Sequence, residues 1–234
     1  MKAAVFREVN QPMEIEEISV SKPGPREVLI RTKAAGICHS DLHFWNGSYP
    51  GQVPMVLGHE SAGVVEQVGS DVHYVKPGDH VITCLSVFCG HCEQCLTGHM
   101  SLCKEPETNR SQDEPPRLSH NDKPLTQFAQ LGSFAEMMLV HEHALVKVRE
   151  DMPMDRAALI GCGVTTGIGA VIHTAKVEPG STVAVIGCGG IGLSAINGAA
   201  LAGAARIIAV DMVPSKLELA RKFGATDVVN ASDG

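Results

Sequence analysis

Cys89, Cys92, Cys95 and Cys103 fall within the fifteen-residue stretch CGHCEQCLTGHMSLC. Three chemistries compete for such a cluster. Disulfides belong to oxidising compartments. An iron–sulfur centre also opens with C-x2-C-x2-C, but here the fourth cysteine follows at x7 with no proline directly after it. A tetrahedral zinc site needs thiolate pairs on tight bends, and Gly90 and Gly98 supply the bends. Zinc is the favoured reading. Four thiolates close its coordination shell, so this metal would order a loop and leave no position for a substrate.

A second set of metal donors is scattered. Cys38 lies in GICHSDLH, His59 in GHE and Cys162 in GCG, each beside a glycine. Two thiolates and an imidazole make three protein ligands, the pattern of a catalytic zinc with one open position. The three are 21 and 103 residues apart, so spacing alone does not bring them together. Asp41 and Glu60 each sit within three residues of one of these ligands. Carboxylates so placed orient a ligating imidazole by accepting its other N–H, and Asp41 is the candidate partner of His59.

A third motif addresses phosphate. Gly187-Cys188-Gly189-Gly190-Ile191-Gly192 is a G-x-G-x-x-G that follows the apolar run STVAVI and opens a helical pattern. Its first glycine makes the turn, its second lets the backbone approach a pyrophosphate, and its third lets helix and strand pack closely. Asp211 ends the next apolar run, nineteen residues after Gly192. There a carboxylate accepts from both adenosine ribose hydroxyls and repels a 2′-phosphate, so NAD is expected rather than NADP. The competing reading is a glycine-rich packing turn with an exposed aspartate.

The elements that must position these motifs fall into two textures. Residues 1–152 read as β-rich, with strand-like runs at 27–37, 61–69, 79–84 and 135–148 between turn signals such as KPGPRE and KPGDH. Residues 104–131 are polar and proline-bearing, and read mostly as loop. From 153 the pattern becomes helical through ALIGCGVTTGIGAVIHTA, then alternates strand, helix, strand, helix, strand to the end. Such alternation is a parallel α/β unit. The expected fold is therefore a β domain, 1–152, followed by an α/β dinucleotide-binding unit, 153–234.

Composition narrows the partners. A net charge of −7 with 4% aromatic residues leaves no basic footprint for nucleic acid or anionic membrane. The amino terminus does not read as a signal peptide, and no run approaches the ~18 apolar residues of a membrane span. A cytoplasmic protein is expected, where cysteine clusters serve metals or catalysis.

With these motifs in hand, the chain resembles the zinc-dependent medium-chain alcohol dehydrogenases. AAGICHSDLH, LGHESAGVVEQVG, the four-cysteine loop, LIGCGVTTG and VIGCGGIGLSAINGA followed by IIAVD carry the likeness, in that order. The resemblance implies a GroES-like catalytic domain followed by a Rossmann domain, with two zinc ions per chain and NAD as oxidant. Catalytic zinc would rest on Cys38, His59 and Cys162, structural zinc on Cys89, Cys92, Cys95 and Cys103. Ser40 would accept the alcohol proton and pass it through the NAD ribose to His43; a turn hydroxyl and a surface histidine are the plainer readings. His39 stands where the family often carries arginine against the pyrophosphate. Thr166 and Lys216 match positions that contact nicotinamide and ribose, although Lys216 also reads as a solvated helix charge. Glu60 either approaches the zinc, as the family suggests, or forms a buried ion pair.

The long 104–131 connection resembles the branch containing liver-type and thiol-linked formaldehyde dehydrogenases. The function implied is hydride transfer between a primary alcohol or its aldehyde and NAD. A thiol-adduct formaldehyde dehydrogenase, an aromatic alcohol dehydrogenase and a non-catalytic zinc- and nucleotide-binding module stay as alternatives. Only the first half of a Rossmann unit is present, so the expectation is a fragment of a longer, homo-oligomeric enzyme that binds NAD weakly by itself.

Overall fold

Strand Glu27–Gly36 organises the first half of the chain. It pairs antiparallel with Glu60–Val68 on one side and Met137–His141 on the other. His80–Thr83 and Leu145–Lys147 complete a five-stranded sheet. The β-branched and aliphatic residues of the sequence runs fill its core: Val28, Ile30, Val65, Val81, Met138, Val140 and Leu145 are all buried together. Register slips between Leu29 and Ile30 and between Thr32 and Ala34 interrupt the ladder of the central pair.

This structure, a computed structural model, describes residues 1–111 and 113–232. It divides into two compact units, Met1–Gly161 and Cys162–Gly234. The helical segment Met154–Ala157 and the turn Ala158–Gly161 lie in the first unit, because Ala157 and Ala158 are buried against Ala62 and Ile82 of the sheet. Apolar contact with the sheet thus carries the boundary nine residues beyond the 152/153 junction that the change of texture suggested.

Two runs resolve differently from expectation. The stretch 135–148 is two strands joined by the 3-10 turn Glu142–Ala144, one on each edge of the sheet, pairing with Glu27–Arg31 and with Val81–Thr83. A single strand cannot serve both edges. The helical pattern from 153 breaks at Cys162, whose φ of −134° and ψ of −81° are not helical. A sheet of short strands, Lys2–Phe6, Glu14–Glu17, Met55–Val56 and Thr126–Gln127, also escaped the pattern reading, because charge interrupts alternation in EIEE.

The polar stretch after the four-cysteine loop is mostly irregular, with Leu118–His120 and Lys123–Pro124 as short strands. It is tied to the sheet by one buried carboxylate. Glu27 accepts from Arg110 and from Arg117 Nε at 2.7 Å, and from the Gly24 N–H at 2.8 Å. Burial opposes its ionisation, but the two guanidiniums outweigh that and hold its carboxyl below the usual range.

The second unit holds the parallel sheet Thr182–Ile186, Arg206–Asp211, Asp227–Asn230 in that order. Helices Gly190–Leu201 and Pro214–Lys222 connect the strands. Ile196, Ala199, Ile207, Ala209, Leu217 and Ala220 form its core. Helix Gly163–Gly169 approaches Gly190–Leu201 closely: a Cβ on Gly167 would stand 2.5 Å from the Ile191 carbonyl and from Ser194.

Candidate metal and nucleotide sites

The four-cysteine loop converges on one point. The Sγ atoms of Cys89 and Cys95 are 3.8 Å apart, those of Cys92 and Cys95 3.5 Å, and those of Cys92 and Cys103 3.9 Å. A disulfide has sulfurs about 2.05 Å apart, so no bridge joins them. A tetrahedron with Zn–S bonds of about 2.3 Å has edges of about 3.8 Å, and the sulfur separations match it. Backbone N–H groups point at the sulfurs as they do at thiolates. Those of His91 and Cys92 donate to Cys89 Sγ at 3.4 and 3.3 Å, and that of Cys89 to Cys103 Sγ at 3.3 Å. Burial opposes ionisation of Cys89, but these N–H groups bring its thiol down to about 6. At Cys92 the Cys95 N–H favours the thiolate, yet burial and the three neighbouring sulfurs push it up to about 12. One cation resolves that conflict by accepting all four sulfurs as thiolates.

A different arrangement surrounds Cys38. Cys38 precedes the helix His39–Trp45 and His59 the strand Glu60–Val68, and Asp41 fastens both loops. Its Oδ2 accepts the Cys38 N–H at 2.9 Å and its Oδ1 the Gly58 N–H at 3.0 Å. Asp41 is buried, and its Oδ1 lies 3.5 Å from His59 Nδ1, long for a hydrogen bond. With Nδ1 turned to the carboxylate, Nε2 is the nitrogen left for a metal. One donor atom each of Cys38, His59 and Glu60 lies within 4.8 Å of the others. Burial disfavours charge on both Cys38 and His59. The backbone and hydroxyl of Ser40, then His59, nevertheless bring the Cys38 thiol down, while Asp41 and then Cys38 raise His59.

Glu60 is buried with its carboxylate over Gly36, where an added Cβ would stand 2.5 Å from Oε2. Among the described residues no ion pair to Glu60 is formed. Ser40 Oγ lies 3.7 Å from Cys38 Sγ. His43 is half-buried with an unbonded Nδ1, edge-on to the exposed His39 at 4.7 Å and tilted on Tyr49 at 4.8 Å. Cys162 opens the second unit, half-buried, immediately before helix Gly163–Gly169. The preceding Gly161 must be glycine, since a Cβ would lie 2.0 Å from the Thr83 carbonyl.

Sequence reading overlooked an aromatic shelf beside His59. Phe128 meets His59 edge-on at 5.2 Å, and Phe44 meets Phe128 at 4.7 Å. A phenylalanine within an otherwise polar stretch was the available signal.

In the second unit the glycine loop has the form that a pyrophosphate needs. Gly187 has φ +93°, and a Cβ on Gly192 would lie 1.8 Å from the Gly187 carbonyl. Both positions therefore demand glycine. At Gly189 and Gly190, by contrast, an added Cβ would meet nothing within 4 Å, so open space faces the start of the helix. Ile191 is exposed there. Asp211 at the strand end accepts the Cys188 N–H at 2.8 Å and the Val213 N–H at 2.9 Å. Those two bonds hold its carboxyl below the usual range. Thr166 is an exposed residue of helix Gly163–Gly169 and Lys216 of helix Pro214–Lys222. No single helix among the described residues is long and apolar enough to cross a membrane.

Comparison with known proteins follows the same division. The family described as "Alcohol dehydrogenase GroES-like domain" matches residues 24–150, and that described as "Zinc-binding dehydrogenase" matches 190–234. S-(hydroxymethyl)glutathione dehydrogenase of Escherichia coli O1:K1 / APEC is 46% identical over 99% of this chain and 64% of its own length. An alcohol dehydrogenase zinc-binding domain protein from Burkholderia ambifaria superposes with TM-score 0.92 at 40% identity, and benzyl alcohol dehydrogenase from Acinetobacter calcoaceticus with 0.90 at 37%. Each structural likeness covers 100% of this chain and 64% of the other. The chain thus spans 64% of the length of the curated relatives it matches.

Proposed function

Because the chain belongs to the zinc-binding alcohol dehydrogenase family with a GroES-like domain, we propose that it is the metal- and nucleotide-binding part of an oxidoreductase moving hydride between a primary alcohol and NAD. The observation that carries this reading is the Cys38–His59 pair, fastened by the one buried carboxylate of Asp41 and separate from a closed four-sulfur cluster. Cys162 is the third ligand in this reading. Zinc bound to the three supplies, when present, a Lewis acid that lowers the pKa of an alcohol hydroxyl.

The chain's own groups do the rest. Asp41 fixes both ligand loops, so the donors need no reorganisation. Ser40 Oγ, beside Cys38 Sγ, accepts the hydroxyl proton, and the imidazole of His43 carries it towards solvent. Gly189 and Gly190 leave the helix N-terminus open to a pyrophosphate, and His39 lends it a second, weaker donor. Asp211 keeps lone pairs for ribose hydroxyls while repelling a 2′-phosphate, which supports NAD over NADP. Thr166 would contact the nicotinamide and Lys216 the adenosine ribose of a bound NAD. Glu60 stands close enough to exchange with a ligand of the metal.

The likeness to a benzyl alcohol dehydrogenase favours aromatic alcohols within this class. The relative named for S-(hydroxymethyl)glutathione points to the thiol adduct instead. A panel of ethanol, benzyl alcohol and S-(hydroxymethyl)glutathione, followed by NADH absorbance, separates the readings. Benzyl alcohol is expected to give the highest kcat/KM. Loss of NADH formation in Cys38→Ser, with zinc falling from two ions per chain to one, is expected of the enzyme. Zinc loss without any initial activity would mark a non-catalytic module.

A further inference from the structure

The four-cysteine cluster has an outer extension that its zinc does not need. Cys89 Sγ, a ring nitrogen of His91 and a carboxylate oxygen of Glu107 also lie within 4.8 Å of one another. His91 Nε2 and Glu107 Oε1 are 2.7 Å apart. Cys89 itself is buried, at 3% exposure, while the side chains of His91 and Glu107 are 63% and 43% exposed. The set thus runs from solvent to a buried sulfur, and that sulfur is a member of the tetrahedron. Imidazole, carboxylate and thiolate are the three donor types that zinc accepts. Glu107 comes from the 3-10 turn Pro106–Thr108, just past the last cysteine, so the polar stretch supplies a donor that the closed cluster has no room for.

We propose that His91, Glu107 and Cys89 form a transient zinc-transfer site, through which the ion enters and leaves the four-cysteine cluster. A partly hydrated Zn²⁺ binds His91 and Glu107 at the surface, exchanging water for nitrogen and oxygen. It then takes Cys89 Sγ as a shared ligand. Bonds to His91 and Glu107 break as bonds to Cys92, Cys95 and Cys103 form, and the thiol protons pass to solvent. No electron moves and the charge of the ion is unchanged. The inference rests on the reading that the four cysteines hold zinc.

The test measures metal exchange rather than turnover. In a Cys38→Ser background, which leaves the cluster zinc alone, exchange with excess isotopically labelled zinc is followed by native mass spectrometry. His91→Ala and Glu107→Gln are each expected to slow exchange by about tenfold, the kinetic equivalent of about 1.4 kcal/mol of barrier. Affinity, from competition with a chelator, is expected to stay within about twofold, because a transfer site lowers the barrier in both directions. Glu107→Asp, which keeps a carboxylate, should restore most of the rate. A mere clasp on the loop predicts the opposite: zinc leaving faster and held about tenfold or more weakly. That result, or unchanged exchange in both variants, overturns the proposal. If the Cys38→Ser chain holds no zinc while Cys103→Ser holds one, the four-cysteine reading itself has failed.

Discussion

The loop at 89–103 and the site around Cys38 use the same element types in opposite ways. In the loop, four sulfurs from fifteen consecutive residues meet at 3.5 to 3.9 Å, and neighbouring backbone N–H groups serve them. Around Cys38, a helix start and a strand start are pinned by Asp41, a residue that binds no metal itself in this reading. The first arrangement is closed and local, and its geometry is that of a clasp. The second is buried and assembled from segments 21 residues apart in the chain.

Breaking each region in turn should separate them. The largest effect is expected from Cys103→Ser: the loop loses its zinc, forfeiting binding energy on the order of 10 kcal/mol, and becomes the first point of proteolysis. Limited proteolysis with zinc analysis checks this, and Cys38→Ser should leave the loop resistant. Equal protease sensitivity in both variants would dissolve the distinction.

Asp41→Ala should come next. It orphans the N–H groups of Cys38 and Gly58, costing about 3 kcal/mol, and weakens metal binding at Cys38 and His59 by about 10- to 100-fold. Urea unfolding and chelator competition read the two effects, and zinc at the four cysteines should not change.

The glycine loop sharpens the contrast between packing and function within one motif. Gly192→Ala drives a methyl against the Gly187 carbonyl and should destabilise the second unit by about 2 kcal/mol. Gly189→Ala meets open space, so thermal unfolding should be unchanged while NAD affinity falls, as read by calorimetry. A stability loss in Gly189→Ala would mean that the space is not there.

The most gradual effect is acid. His141 is buried, and burial first, then Arg26 and His143, lowers its pKa to about 4. Between the ordinary value of about 6.5 and 4 the unfolded chain binds this proton and the folded chain does not, so stability falls as pH falls through that window. Glu27, held below its usual range, adds a loss at lower pH, as its folded value is crossed. Urea midpoints measured across about pH 7 to 4 should decline smoothly, and in His141→Gln the first part of that decline should vanish.

Local geometry was legible in advance. C-x2-C-x2-C-x7-C on glycine bends, G-x-G-x-x-G after an apolar strand, and Asp211 at the next strand end depend on neighbours in the chain, whose reach is set by a few bond lengths. The parallel α/β order and most long strands followed from hydrophobic period for the same reason. What needed the tertiary structure was each contact between distant residues. Asp41 fastening Gly58, the turn that splits 135–148 between two sheet edges, and Glu27 gathering Arg110 and Arg117 carry no short-range signal. Spacing along a chain bounds only nearby distances. Over tens of residues, the burial of the sheet core decides which ends meet.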